Sequence, residues 1–192
     1  MGARIAVFAS GNGSNFEALA KGCIAGDIQA DMALCITDRP GAYVTERARN
    51  LNVPFKEISP KAFPSKKEYE EHLLQLLDES KIDFIFLAGY MRIVGPTLLE
   101  AYKNAIINIH PSLLPAFPGV DAIGQALEYG VKIYGVTIHF VDETLDGGKI
   151  IDQESLHYDG NDREVLEPMI HSLEHKLYVK TAARLVKQLP SR

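Results

Sequence analysis

Apolar residues in this chain fall in short unbroken runs separated by stretches with helical spacing. Arg4–Ala9 (RIAVFA) is the first run, and SGNGSN follows it. Phe16, Leu19 and Ala20 then keep to one face of a helix that Gly26 is placed to stop. Met32–Thr37 opens a second unit, and Asp-Arg-Pro-Gly turns the chain into a helical stretch from Tyr43 to Leu51. Phe55–Ile58 reads as a third strand. Ser65-Lys66-Lys67-Glu68 fits a capping box at the head of a helix carrying Leu73, Leu74, Leu76 and Leu77, and Asp83–Leu87 is a fourth strand. Thr97–Tyr102 is helical behind Pro96, and Ala105–Ile109 is β-like until Pro111 forces the chain out of the ladder. Ala122–Tyr129 reads as a short helix. Ile133–Val141 and Ile150–Leu156 read as strands flanking the Glu143–Gly148 turn, which is too short for a parallel crossover, so they run antiparallel or splay apart. From Asn161 one helical pattern extends to near Leu189, with a kink or a break expected at Pro168.

Strands buried on both faces read as near-continuous apolar runs. The βαβα order therefore predicts an α/β fold: a doubly wound, mostly parallel open sheet with helices on both faces and an antiparallel element near the C-terminal part. Ligands on such sheets bind beyond the carboxyl ends of the strands. With 192 residues, 46% of them apolar and 23% charged, residues 1–192 are expected to form a single domain. A formal charge of −5 argues against a general nucleic-acid or membrane surface and leaves room only for a local anion pocket. Cys23 and Cys35 sit in apolar contexts without partners at metal-like spacing, so they read as buried free thiols of a reducing cytoplasm, and no metal is expected. Met1–Ala9 is too short for a signal peptide, and no run approaches the ~20 apolar residues that span a bilayer. The expected location is cytoplasmic.

Three places carry candidate chemistry. Gly11-Asn12-Gly13-Ser14-Asn15 stands between a strand and a helix, where backbone N–H groups and the helix dipole suit a phosphate; Ser14 or Asn15 capping the helix over a tight turn is the plainer reading. Asp38 ends the second strand where a ribose-binding acid of a dinucleotide site would stand, but Phe16 takes the place of the third glycine, which favours a monophosphate. Asn108 and His110, two apart at a strand end, point to one side, and an amide beside an imidazole can stabilise an oxyanion and move a proton. Asp146, in a Leu-Asp-Gly-Gly turn, is a candidate acid for that pair or an ordinary turn aspartate.

Asn108-Ile109-His110-Pro111-Ser112-Leu113-Leu114-Pro115, then Phe117-Pro118-Gly119, then Gly135–Asp142 (GVTIHFVD) and Leu145-Asp146-Gly147-Gly148 resemble the signature of the 10-formyltetrahydrofolate-dependent formyltransferases. With Ser10–Asn15 and the chain length, the resemblance runs essentially end to end and is strongest to the branch that formylates glycinamide ribonucleotide in purine biosynthesis. It implies an enzyme with Asn108, His110 and Asp146 as its catalytic set. The ribonucleotide would fall to Gly13, Ser14, Asn15 and Glu174. Formyl-folate would fall to Met91, Arg92, Ile93 and Val94, to Asn108, and to Val141, Asp142 and Asp146 in a turn closing over the pterin. Lys66 and Arg92 would meet the anionic folate tail or be solvated surface charges, and His139 would be a structural imidazole. Residues 1–104 would hold mainly the phosphate, and 105–192 the catalytic groups and much of the folate, in a monomer or homodimer with small-molecule substrates alone.

The chain departs from the family pattern at Val120–Gly124, where many relatives carry histidines, and at Val179, where a proline is common. A folate-deformylating hydrolase and an initiator-tRNA formyltransferase share parts of the signature, but each usually carries an additional domain for which this length leaves no room. A nicotinamide-dependent reductase using Gly11, Gly13 and Asp38, and a noncatalytic nucleotide-binding module using the loop alone, are the readings from other classes.

Overall fold

The first strand, β1 (Ala3–Phe8), shows why its run is continuous: Ile5 and Val7 face one core while Ala6 and Phe8 face another, all four fully buried. The computed structural model describes residues 2–188. Along it follow α1 (Ser14–Ala25), β2 (Ala30–Thr37), α2 (Val44–Asn50), β3 (Phe55–Glu57), α3 (Lys66–Glu79) and β4 (Phe84–Leu87). Then come α4 (Pro96–Ala101), β5 (Ile106–His110), α5 (Ala122–Tyr129), β6 (Ile133–Phe140), β7 (Ile150–His157) and α6 (Arg163–Gln188). Ser65 caps α3 as the sequence suggests, its hydroxyl accepting from the Glu68 amide at 3.2 Å.

The seven strands form one sheet in the order β3-β2-β1-β4-β5-β6-β7. Pairings from β3 to β5 are parallel; β5–β6 and β6–β7 are antiparallel. One face packs Phe16 and Leu19 of α1, Val44 of α2, Ile123 of α5, and Leu166, Ile170 and Leu177 of α6. The other packs Tyr69, Leu73 and Leu77 of α3 and Leu98 of α4. The doubly wound fold with an antiparallel C-terminal part is therefore as expected.

Of the kink or break expected at Pro168, the break does not occur: α6 runs on through it. Pro168 and the residue four before it, Glu164, both lie on the exposed side of α6, so the carbonyl that loses its donor faces water. Asp162 supports the start of that helix, its Oδ1 accepting from the Glu164 amide at 2.8 Å. The helix end expected near Leu189 lies outside the described residues, as does Met1. Because β2 and β4 flank β1, the turns after β1 and β4 open side by side at the point where the strand order reverses, the place where such sheets take ligands.

Candidate active site

β5 carries Asn108 and ends at His110, and its antiparallel pairing with β6 sets Asn108 directly opposite His139. The turn after β6 then brings back Asp146. The Asp146 carboxylate stands between two imidazoles, with Oδ2 3.5 Å from His110 Nδ1 and Oδ1 3.8 Å from His139 Nε2. The residues expected to act together are thus assembled, and His139 joins them. Its place follows from strand register, which no local pattern in the sequence encodes.

Hydrogen-bond partners fix the ring tautomers. His139 Nδ1 lies 2.9 Å from the Phe140 carbonyl, which can only accept, so Nδ1 carries the proton. Burial holds this imidazole below its ordinary range, against the opposing pull of Phe140 and Asp146. Its Nε2 is then a bare acceptor, 3.1 Å from Asn108 Nδ2, so the Asn108 amide donates to it through one N–H and keeps a second. His110 Nε2 likewise faces a carbonyl, that of Phe117 at 2.8 Å, which leaves Nδ1 as the nitrogen turned toward Asp146.

The Asp146 turn is held by close backbone contacts. Asp146 adopts φ 50, and Phe117 and Asp121, in the loop facing it, adopt φ 54 and 55; three non-glycine residues in the left-handed region thus gather around one site. The Gly119 amide donates to Asp146 Oδ2 at 2.7 Å. At Gly148 a Cβ would stand 1.8 Å from the Phe140 carbonyl oxygen, so only glycine fits. Asp142 is exposed, and its carboxyl is held below the ordinary range by hydrogen bonds from Thr144.

At the other end of the site, Gly13 caps α1 in the left-handed region, φ 77, with no side-chain cap. A Cβ there would meet Val44 Cγ2 at 2.5 Å, so Gly13 is required by the packing of α2 as well as by its φ. Ser14 is the first residue of the helix and does not cap it. Asn15 reaches instead to α6, its Nδ2 donating to Glu174 Oε2 at 3.1 Å. Glu174 is 5% exposed, and burial pushes its carboxyl up to about 7. Asn15 Oδ1 and His175 Nε2 are buried without a hydrogen-bond partner among the described residues. Arg47 donates to Asn12 O and Oδ1, both at 2.8 Å, and pairs with Glu17. Burial lowers the His175 imidazole, and the nearby His171 and Arg47 lower it further. Arg47 thus sets a guanidinium beside the glycine-rich loop, while burial favours the neutral form of His175; nothing in the linear pattern singles either out.

Residues 91–94 leave the end of β4 beside this loop. The side chains of Met91 and Ile93 are 64% and 69% exposed, whereas Val94 is buried. The Arg92 Nε donates to Asp38 Oδ2 at 2.8 Å, and Lys66 Nζ lies 3.8 Å from Glu70, itself buried. Val141 begins the turn with its amide on Ile106 O at 2.9 Å. Asp38 is inward and engaged, so it is not a ribose acid waiting for a dinucleotide. Burial pushes the Cys23 and Cys35 thiols up to about 12, which removes both as nucleophiles at neutral pH. Among the described residues no helix is long and apolar enough to cross a membrane, and no group of three or more His, Cys, Asp or Glu side chains is arranged to hold a metal ion.

The formyl transferase family profile matches residues 3–182. The chain is 47% identical over 184 residues to phosphoribosylglycinamide formyltransferase of Bacillus subtilis, covering 95% of this chain and 94% of that one. It is 40% identical over 186 residues to the trifunctional purine biosynthetic protein adenosine-3 of Drosophila melanogaster, of which it spans 14%. Among solved structures, glycinamide ribonucleotide transformylase 1 of Geobacillus kaustophilus superposes with a TM-score of 0.94 at 51% identity, over 97% of this chain and 100% of that one.

Proposed function

Because this chain belongs to the formyl transferase family, we propose that it carries the formyl group of 10-formyltetrahydrofolate to the primary amine of glycinamide ribonucleotide. The products are formylglycinamide ribonucleotide and tetrahydrofolate, in a step of purine biosynthesis. The observation that carries the mechanism is the position of Asp146, 3.5 Å from His110 Nδ1 at the end of the strand that also bears Asn108.

The nucleophile is the substrate amine. With a pKa of about 7.7–8.0 an α-amino group needs only modest help to be neutral near pH 7. Its nitrogen adds to the formyl carbon, and the carbonyl oxygen becomes an oxyanion. The free N–H of Asn108 and the protonated Nδ1 of His110 donate to that oxygen. The 3.5 Å separation of His110 Nδ1 and Asp146 exceeds a hydrogen bond, which leaves the Nδ1 proton for the oxyanion. Asp146 sets a carboxylate beside the ring while the oxyanion exists. The new ammonium then loses its proton, the bond from formyl carbon to N10 breaks, and N10 takes the proton directly or through a water held by His110 and Asp146.

Gly13, Ser14 and Asn15 hold the phosphate at the head of α1, where N–H groups converge. Glu174 lies beside the ribonucleotide: a buried carboxylate and the unpaired Asn15 Oδ1 are both acceptors, and the ribonucleotide brings hydroxyl and amine donors. Met91, Arg92, Ile93 and Val94 receive the pterin edge through backbone groups, Val141 and Asp142 belong to the turn over it, and Lys66 stands at the folate tail. Residues 1–104 thus serve mainly the phosphate, and 105–192 the chemistry and much of the folate. The enzyme works in the cytoplasm as a monomer or homodimer, with no metal among its working parts.

The deciding measurement is turnover of 10-formyltetrahydrofolate with purified protein and the Asp146→Asn variant. Consumption that requires glycinamide ribonucleotide is expected, with kcat about 10²–10³-fold lower in the variant and its KM for the ribonucleotide little changed. Formate release without the ribonucleotide would make the protein a hydrolase, and near-normal turnover by the variant would remove Asp146 from the mechanism.

A further inference from the structure

Asp38 is a buried carboxylate without a part in this chemistry. The Asp38 side chain is 1% exposed at the end of β2, and both of its oxygens are taken. Oδ1 accepts from the Ser10 hydroxyl at 2.5 Å, and Oδ2 from Arg92 Nε at 2.8 Å. The Ser10 Oγ in turn accepts the Met91 amide at 2.8 Å. Only one arrangement of protons satisfies this chain. The Met91 N–H can only donate, so it occupies a lone pair of Ser10, and the single hydroxyl proton of Ser10 must go to an acceptor, which is Asp38. Ser10 is itself fixed, its amide donating to Gly89 O at 3.1 Å.

The strap from Tyr90 to Gly95 is tied on its inner side at each end as well. Tyr90 shares a 2.9 Å hydroxyl contact with Tyr69 and lies edge-on to Phe8, and the Gly95 amide donates to the buried Glu70 at 2.6 Å. Two consecutive strap residues, 91 and 92, therefore hang from one carboxylate, while the Met91 and Ile93 side chains stand outward at 64% and 69% exposure. We infer that Asp38 is a positioning residue for formyl-folate: through Ser10 and Arg92 it fixes the strap that receives the ligand, and the Arg92 guanidinium is committed to that pair instead of to the folate tail. The inference rests on the reading that residues 91–94 take the folate.

The test is a steady-state comparison of Asp38→Asn, Ser10→Ala, Arg92→Met and the Asp38→Asn/Arg92→Met double variant. The folate substrate carries one glutamate or several. Each single change is expected to raise KM for formyl-folate about tenfold, by the same factor whatever the glutamate number, since each removes a hydrogen bond to a charged group or its relay. KM for glycinamide ribonucleotide should move less than about twofold. The double variant should be no worse than the worse single one, because both break the same pair. Exchange of the Met91 amide proton, read by NMR without turnover, should accelerate in Ser10→Ala and Asp38→Asn. An Arg92→Met penalty that grows with glutamate number would return that side chain to the tail and overturn the inference. So would multiplicative single effects, or an Asp38→Asn protein with unchanged KM and Met91 exchange. Arg92 is half exposed, so its variant folds even if a buried substitution does not. Ile93→Asp separates the two levels: if it leaves the folate KM unchanged, the strap is not the folate site, whereas a raised KM there with silent Asp38 variants removes the positioning role alone.

Discussion

A methyl group at position 148 has nowhere to go. The carbonyl it would strike, that of Phe140, is the one that holds the proton on His139 Nδ1, and His139 in turn orients the Asn108 amide. Gly148→Ala must therefore push the Phe140 carbonyl aside and release the histidine. A loss of about 1–3 kcal/mol in denaturant unfolding is expected, as for other overpacked sites, with kcat falling at least about tenfold. A variant with native stability and native kcat would show that the turn shifts without disturbing its neighbours. The same contact explains a limit of reading the chain as a string. The Leu-Asp-Gly-Gly turn is legible, and so is Asp146 as a candidate acid. That Gly148 underpins His139 is not, because the link runs through a carbonyl oxygen that has no letter of its own.

Among the elements, α6 has the longest reach. The buried hydroxyl of Tyr178 donates to the carbonyls of Leu87, at the end of β4, and Ile107, in β5, at 2.9 and 3.1 Å. Tyr178→Phe removes the donor and leaves the ring, so a loss of about 1–3 kcal/mol in unfolding free energy follows from the stranded carbonyls. An unchanged midpoint would mean that water or the neighbouring strands satisfy them. The strands and their partner helices were visible in the sequence because two-sided burial writes itself as unbroken apolar runs, as in Ile5–Phe8 and Phe84–Leu87. The antiparallel β6–β7 pair was visible in the shortness of its turn. The antiparallel docking of β6 on β5 was not, since the segment between them is long enough to permit a parallel return as well. What the structural imidazole His139 supports is hidden for that reason: its place opposite Asn108 exists only once this register is known. The family resemblance offers Arg92 as a folate contact or a solvated charge, and its pairing with Asp38 depends on β4 and β2 lying on either side of β1.

For the molecule as a whole, Glu174 links stability to pH. Its folded carboxyl is raised from 4.5 to about 7, so between these values the native state keeps a proton that the unfolded chain releases. Its contribution to stability is therefore intact at low pH, declines as pH rises through this window, and above pH 7 leaves the native state about 3 kcal/mol less stable than a neutral side chain would. Glu174→Gln, which can still accept from Asn15, should melt higher than the parent at pH 8 and converge with it near the lower end of the window. Melting curves that stay parallel across the range would contradict this. The same variant should bind the ribonucleotide more weakly, a conflict between stability and activity that is common where a ligand supplies the missing partners.

The strand order has a last consequence. The proposed phosphate cradle hangs from β1 and α1, whereas Asn108, His110 and Asp146 ride on β5 and the hairpin beyond it, with β4 between. On the reading given above, choice of acceptor and delivery of the one-carbon unit are housed in separate modules. An engineer seeking to redirect this scaffold to another amine would redraw the first loop–helix junction and leave the hairpin alone.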